Sequence, residues 1–173
     1  AKAKMVPPGE ITALVMDRTR HSDLIARLRK IGCSIRLITD GDVVGVIQCA
    51  EQHKTGIDIY LGIGGAPEGV LAAAALRCVG GQMQGRLILD SEAKVERARK
   101  MGVRDPNKKY EMEEMASGDV IVSATGVTDG ALLKGVVFGP ELITTETIVY
   151  RSTTGTVRRI FGEHRQLEKF HLD

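Results

Sequence analysis

A chain of 173 residues with 43% hydrophobic residues and a mean hydropathy of −0.05 is long and apolar enough for one packed globular domain or a small pair. Its 24 basic residues nearly cancel 22 acidic ones, so a pI of 8.5 rests on a net charge of only +2 and gives no case for nucleic-acid binding. The longest apolar run, Val70 to Val79, contains Arg77 and is far too short to span a bilayer, and no signal-like run stands near the start, so membrane insertion is excluded as an expectation.

The chain opens Ala1-Lys2-Ala3-Lys4 without an initiator Met, which raises the expectation of a processed product or a piece of a longer polypeptide. Ile11 to Met16 reads as a buried strand. A helix follows from about Ser22 to Lys30, with Leu24, Ile25 and Leu28 on one face and Gly32 as its stop. Ile35 to Thr39 is the next strand, then a helix from Val43 towards Gln52 and a Lys54-Thr55-Gly56 turn. Ile57 to Ile63 and a helix from Pro67 to Val79 make a third unit. Near-continuous apolar strands alternating with helices predict parallel pairing through right-handed crossovers, hence an α/β fold: a layered sheet with mostly parallel strands and flanking helices.

The second half is less regular. Leu87 to Leu89 reads as a short strand, Glu92 to Met101 as a charged surface helix, and Arg104 to Lys109 as a polar loop around Pro106. Val120 to Ala124 runs into Thr125-Gly126-Val127-Thr128-Asp129-Gly130 and a short predicted helix, Ala131 to Lys134. Thr144 to Arg151 and Thr156 to Phe161, joined by Ser152-Thr153-Thr154-Gly155, predict a β-hairpin. The chain is expected to form one unit over 1–173, with a sub-boundary near 103–118.

Three loops fall at the C-terminal ends of the first three strands, the edge at which open α/β sheets bind ligands. They are Asp17-Arg18-Thr19-Arg20-His21, Asp40-Gly41-Asp42, and Gly62-Ile63-Gly64-Gly65-Ala66-Pro67-Glu68-Gly69. Arg18 and Arg20 offer forked donors for a phosphate, and the Asp40/Asp42 pair can accept from sugar hydroxyls. Glycines let backbone approach a ligand, and the helix N-terminus attracts anions, with Glu68 in its first turn. The chemistry suggested is recognition of a phosphorylated polyol. Plainer readings stand beside each piece. Asp17, Thr19 or Ser22 can cap the helix that follows, and Asp42 is a good N-cap. Gly41 can serve only the turn, and Glu68 can simply favour the helix dipole.

Other chemistries fit less well. Cys33, Cys49 and Cys78 are odd in number and form no Cys-x-x-Cys pair, which argues against a disulfide framework or zinc knuckle and suits a reducing cytoplasm. His21, His53, His164 and His171 are scattered, so surface or capping roles are expected of them rather than metal ligation. Thr125 to Gly130 is expected to be a tight structural turn, and Ser123 lacks a Gly-x-Ser-x-Gly setting. A dinucleotide loop fails at position 67, where Pro67 replaces the third glycine, and there is no Gly-Lys-Ser/Thr loop.

The blocks Val15 to His21, Ile38 to Val43, Gly62 to Gly69 with Ala72 to Ala75, Gly80 to Leu87, Ser123 to Gly130 and Thr144 to Thr147, in this order, closely resemble class II fructose-1,6-bisphosphatases, a family that includes sedoheptulose-1,7-bisphosphatases. The resemblance covers nearly the whole chain, but only the C-terminal half of that family. It implies a sugar-phosphatase-like architecture that is half of a larger two-part fold, and hydrolysis of the 1-phosphate of fructose 1,6-bisphosphate with Mg2+ or Mn2+, in some members of sedoheptulose 1,7-bisphosphate, in gluconeogenesis or the Calvin cycle. By position it makes Arg18, Thr19, Arg20, Asp40, Gly41, Asp42 and Gly65 substrate-binding and Glu68 a metal ligand. It also implies a homo-oligomer and a cytoplasmic setting.

Two departures matter. The N-terminal half, whose Gly-Glu-Gly-Glu and Asp-Pro-x-x-Gly-Thr segments supply most metal-binding acids of the family, is missing, and one glutamate cannot hold two metals. Thr19 stands where many members have Pro, and the segment between Asp42 and Gly62 is about a residue longer. The leading expectation is therefore a bisphosphatase half that acts with an N-terminal half or a partner chain carrying it. The rival is a non-catalytic sugar-phosphate-binding module.

Overall fold

The computed structural model describes residues 1–166. A parallel sheet in the order β2-β1-β3 forms the first layer that bears on function, built from β1 (Thr12–Met16), β2 (Ser34–Ile38) and β3 (Ile59–Tyr60). Central β1 is covered on both faces, as a parallel strand must be. Ala13 and Val15 pack with Ile25 and Leu28 of α1 (Ser22–Lys30). On the other face Leu14 meets α2 (Asp42–Ala50), which approaches closely because Gly45 carries no side chain. A Cβ there would lie 2.9 Å from Leu14 Cδ2 and 3.1 Å from Ile38 Cδ1. After α2 a short turn of helix, α3 (Gln52–Thr55), ends at the left-handed Gly56 and returns the chain to β3.

The long helix α4 (Ala66–Val79) is the hub between the halves. Its small residues let it pack on two sides. Ala72 and Leu76 meet Val46 of α2, while Ala75 and Cys78 join Ile148 and Tyr150 of a second sheet. Gly80, at φ +78°, ends the helix, and Gly81 N–H bonds back to Leu76 C=O at 3.0 Å. The layers thus run α1, parallel sheet, α2 with α4, then the second sheet. That sheet is antiparallel and contains β6 (Ile121–Thr125), β7 (Val137–Phe138), β8 (Ile143–Arg151) and β9 (Thr156–His164). The predicted hairpin is β8 and β9, paired over their whole lengths around Ser152–Thr154.

The structure departs from expectation where pairing is long-range. β4 is Gln84–Arg86 rather than Leu87 to Leu89, and it pairs antiparallel with β5 (Lys109–Glu111), a strand that begins at the last residue of the expected Arg104 to Lys109 loop and was not anticipated. α5 (Glu92–Lys100) lies between them, and a short α6 (Met112–Met115) follows, held by a capping box of Glu111 and Glu114. The segment 103–118 is tied to α4 through Met112 packing and an Arg77 side chain that donates to Ala116 C=O. Residues 131–134 are not helical. Gly130 N–H bonds Leu133 C=O at 3.0 Å and Val136 N–H bonds Val127 C=O at 3.1 Å, so the chain doubles back. No helix among the described residues is long and apolar enough to cross a membrane.

Candidate functional site

Because β1, β2 and β3 are parallel, their C-terminal loops emerge side by side. Asp17 N–H extends the ladder to Ile38 C=O at 2.7 Å. Arg18 then bridges the first two loops: Nη1 donates to Asp17 C=O at 3.0 Å and Nη2 to Thr39 C=O. Arg20 bridges the first and third loops through Nε and Ile63 C=O at 2.7 Å. Thr19 opens a single 3-10 turn, Thr19–His21, whose C=O receives Ser22 N–H. Asp40 is exposed beside Gly41, which sits at φ +72° as the N-cap of α2. Asp42 is the first helical residue, not the cap, and its Oδ1 accepts Val43 N–H at 2.8 Å.

The third loop leads into α4 with Gly65 as N-cap and Pro67 in the first turn. Glu68 is exposed and folds back over this end of the helix, so that a Cβ on Gly65 would overlap its Oε2. A Cβ on Gly64 would lie 3.4 Å from Asp42 Oδ2, which sets the second and third loops against one another. The structure therefore brings Arg18, Arg20, Asp42, Gly65 and Glu68 to one sheet edge, with Thr19, Asp40 and Gly41 in the connecting turns.

Two residues that sequence reasoning passed over belong to this edge. His21 is neither surface nor capping. It stands at the N-cap of α1 without a side-chain cap bond and is 0% exposed. Nor do Asp17, Thr19 or Ser22 cap that helix. Tyr60, half-buried at the end of β3, has its hydroxyl pushed above the ordinary tyrosine range by burial and by the Asp42 carboxylate, with Arg20 pulling the other way. The available signal for Tyr60 was a polar-tipped aromatic two residues before Gly62, inside the expected strand Ile57 to Ile63, of which only Ile59–Tyr60 forms. For His21 the hint was its position five residues past a buried strand residue, Met16.

Cysteine nucleophiles are not supported. Burial, aided by Asp58, pushes the Cys49 thiol up to about 11, and burial raises Cys78 as well. All three cysteines are free thiols, with Cys33 Sγ donating to Ile11 C=O at 3.0 Å. His53 is exposed, His164 Nε2 lies 3.1 Å from Thr145 Oγ1, and His171 lies outside the described residues. A cavity of about 460 Å3 is lined by Lys134, Thr145, Glu146 and Phe161 among others, with no residue of the three loops. Its three acids are already engaged: Glu146 Oε2 accepts Lys134 N–H at 2.6 Å and Oε1 accepts Arg159 Nη1 at 2.9 Å, Asp129 Oδ1 accepts Gly135 N–H at 2.9 Å, and Glu163 Oε2 accepts Arg165 Nη2 at 2.8 Å. The Lys134 N–H foremost, then Arg159, hold the Glu146 carboxyl below its usual range against the opposing effect of burial. Among the described residues no group of three or more His, Cys, Asp or Glu is arranged to hold a metal ion.

With this geometry in view, the comparisons are decisive for the family. The family model described as bacterial fructose-1,6-bisphosphatase, glpX-encoded, matches residues 1–164. The chain belongs to this family. Among curated relatives, a D-fructose 1,6-bisphosphatase class 2/sedoheptulose 1,7-bisphosphatase of Synechococcus sp. (strain JA-3-3Ab) is 47% identical over 169 residues, covering 90% of this chain and 48% of the relative. The protein of the same description from Trichodesmium erythraeum (strain IMS101) is 42% identical over 177 residues, 92% of this chain and 51% of its own length. That from Synechocystis sp. (strain ATCC 27184 / PCC 6803 / Kazusa) is 41% identical over 168 residues, with 90% and 48% covered. The chain thus spans about half the length of the curated relatives it matches. The three loops at the parallel-sheet edge gather the Arg18 and Arg20 side chains, the Asp42 and Glu68 carboxylates and the exposed Gly64-Gly65 backbone.

Proposed function

We propose that this chain, 1–173, is the sugar-phosphate-binding half of a class II fructose-1,6-bisphosphatase, contributing to release of the 1-phosphate of fructose 1,6-bisphosphate and, as an accessory substrate, sedoheptulose 1,7-bisphosphate. The observation that carries the reading is the convergence of Arg18, Arg20, Asp42, Gly65 and Glu68 on one edge in a chain matched to this family over 1–164. Arg18 and Arg20 bind phosphate oxygens through their guanidinium N–H groups, and Thr19 completes that segment with its hydroxyl. Asp40, Gly41 and Asp42 take sugar hydroxyls, and Gly65 lets the ligand approach the positive end of α4.

Hydrolysis in this reading is dependent on Mg2+ or Mn2+, which when bound would activate water and neutralise the leaving oxygen. The donor set here does not make such a centre by itself. Glu68 offers one carboxylate, whereas a hard divalent ion takes about six oxygen ligands. The role assigned to this chain is therefore to bind and orient the substrate and to supply Glu68 as one metal ligand, and the remaining acids come from an N-terminal half or a partner chain that carries it. A cytoplasmic homo-oligomer working in gluconeogenesis or the Calvin cycle completes the proposal.

A second reading, a non-catalytic sugar-phosphate module, is favoured by that incomplete donor set. One experiment separates the two. Phosphate release from fructose 1,6-bisphosphate is measured with Mn2+ for the chain and for Glu68→Gln, each alone and with the N-terminal half of a relative added. Activity that appears on addition and is lost in Glu68→Gln supports the enzyme half. Fructose 6-phosphate binding without release under any of these conditions supports the module.

A further inference from the structure

The pairing of β1 with β3 is short, running only through Ala13 with Ile59 and Leu14 with Tyr60, and its last backbone bond is Leu61 N–H to Leu14 C=O at 3.1 Å. Beyond that point no strand ladder among the described residues holds the third loop, which leads through Gly64 to Gly65 at the N-cap of α4. The attachment is made instead by two consecutive residues of the first loop. His21, fully buried, points Nδ1 at Met16 C=O at 2.7 Å and receives Ile63 N–H on Nε2 at 2.8 Å. Arg20 donates Nε–H to the C=O of the same Ile63 at 2.7 Å. The backbone N–H and C=O of Ile63 are thus gripped together.

The partners decide the imidazole's state. A carbonyl only accepts, so Nδ1 must carry the proton, and a backbone N–H only donates, so Nε2 must present its lone pair. Nε2 also lies 3.2 Å from Ile63 C=O. In any state with a proton on Nε2, that N–H would expel the Ile63 N–H and compete with Arg20 for the same carbonyl. Gly62 makes room for the ring: a Cβ there would lie 3.3 Å from His21 Cε1 and 3.4 Å from both His21 Nε2 and the Tyr60 hydroxyl. The first glycine of the loop therefore serves the imidazole, while Gly64 and Gly65 face the carboxylates of Asp42 and Glu68.

We infer that His21, as the neutral Nδ1–H tautomer, is a positioning residue that clamps the Ile63 peptide so that Arg20 and the Gly64-Gly65 backbone are presented together to a sugar phosphate. This deepens, and rests on, the sugar-phosphate reading above. The clamp explains why a loop of mostly small residues can hold a ligand-ready shape without a strand to support it. It also gives Arg20 two tasks, with Nε used for the loop and the terminal nitrogens of the guanidinium left for the phosphate.

The test uses the full chain and fructose 6-phosphate as the probe. Nitrogen-15 spectra of labelled histidine are expected to show His21 with Nδ1 protonated and Nε2 bare, and the Ile63 amide is expected to exchange slowly. His21→Leu keeps most of the volume but removes both hydrogen-bonding atoms. It should weaken fructose 6-phosphate binding about tenfold and deprotect the Ile63 amide, and His21→Gln, which keeps one donor and one acceptor, should recover some of both. A wild-type His21 with Nε2 protonated, or unchanged affinity in a folded His21→Leu, overturns the clamp while leaving the sugar-phosphate reading intact. If His21→Leu does not fold, the wild-type tautomer and the His21→Gln affinity decide it. Failure of the wild-type chain to bind the probe overturns the sugar-phosphate reading and the positioning role with it.

Discussion

Two glycine-rich segments follow strands in this chain, and each has an acid close by, yet they do opposite things. In the segment after β3, Gly64 and Gly65 are exposed and what approaches them are carboxylate oxygens of Asp42 and Glu68. In the segment after β6, Gly126 and Gly135 are buried and what approaches them is backbone: a Cβ on Gly126 would collide with Lys134 C=O, and one on Gly135 would lie 2.7 Å from Thr128 C. The acids differ in the same sense. Glu146 is 7% exposed and saturated by Lys134 N–H and Arg159, whereas Glu68 is exposed at a helix N-terminus. Glycine that frees backbone for a ligand and glycine that lets two backbones cross are alike as letters and distinct in what a side chain would strike.

The sharpest break of that comparison is Gly126→Ala. The obstructing atom is a carbonyl of a turn fixed by Asp129 Oδ1 to Gly135 N–H at 2.9 Å and by Glu146, so it cannot rotate aside. A loss of about 3 kcal/mol in urea unfolding is expected, at the upper end for overpacking. Arg20→Lys addresses the other segment. It keeps the charge but loses the planar fork that binds Ile63 C=O and, in the proposed role, a phosphate, so fructose 6-phosphate should bind about tenfold more weakly by calorimetry, with unfolding hardly changed.

The buried acid also leaves a pH signature. Glu146 titrates below its ordinary 4.5, chiefly because Lys134 N–H and Arg159 bind the ionised form. Its stabilising contribution is therefore complete above pH 4.5 and is lost as pH falls through the lower, folded value. Glu146→Gln should be less stable than the parent at neutral pH, and the gap should close on acidification below pH 4.5 in urea melts at successive pH values. Asp58, bound by Lys4 and by Thr12 N–H at 2.8 Å, shifts in the same direction and adds to the acid lability of both proteins alike.

What was legible in the sequence follows the range of the forces involved. α1 over Ser22–Lys30 and its stop at Gly32 are written in local amphipathic spacing, and the β8–β9 hairpin in alternation around Ser152 to Gly155. β4 and β5 were not, because Gln84–Arg86 and Lys109–Glu111 are short and polar and become strands only by finding each other across α5. Ala131 to Lys134 has the helix propensity expected of it, but the bonds of Gly130, Val136 and Lys134 outweigh it. At the site, Arg18, Arg20, Asp42 and Glu68 show in the sequence as loop chemistry at strand ends. His21 and Tyr60 do not, since their roles depend on β3 lying beside β1, an ordering that no local pattern encodes.

The smallest expected effect on stability is the most informative about the comparison. Gly65→Ala meets a Cβ clash as severe on paper as Gly126→Ala, but the struck atom is Oε2 of the exposed Glu68 side chain, which can rotate away. Gly65 also has φ −69° and ψ 145°, a conformation alanine adopts freely. The opposing small terms are the poorer N-cap that alanine makes and the reduced freedom of the unfolded chain, so stability should change by less than about 1 kcal/mol in either direction. The carboxylate, however, is displaced from its place over the α4 N-terminus. If Glu68 serves the ligand, Gly65→Ala should impair Mn2+-dependent phosphate release in the reconstituted two-half assembly while the melting curve stays put. If release survives, the glycine there is only a turn residue, and the two segments differ in exposure but not in purpose.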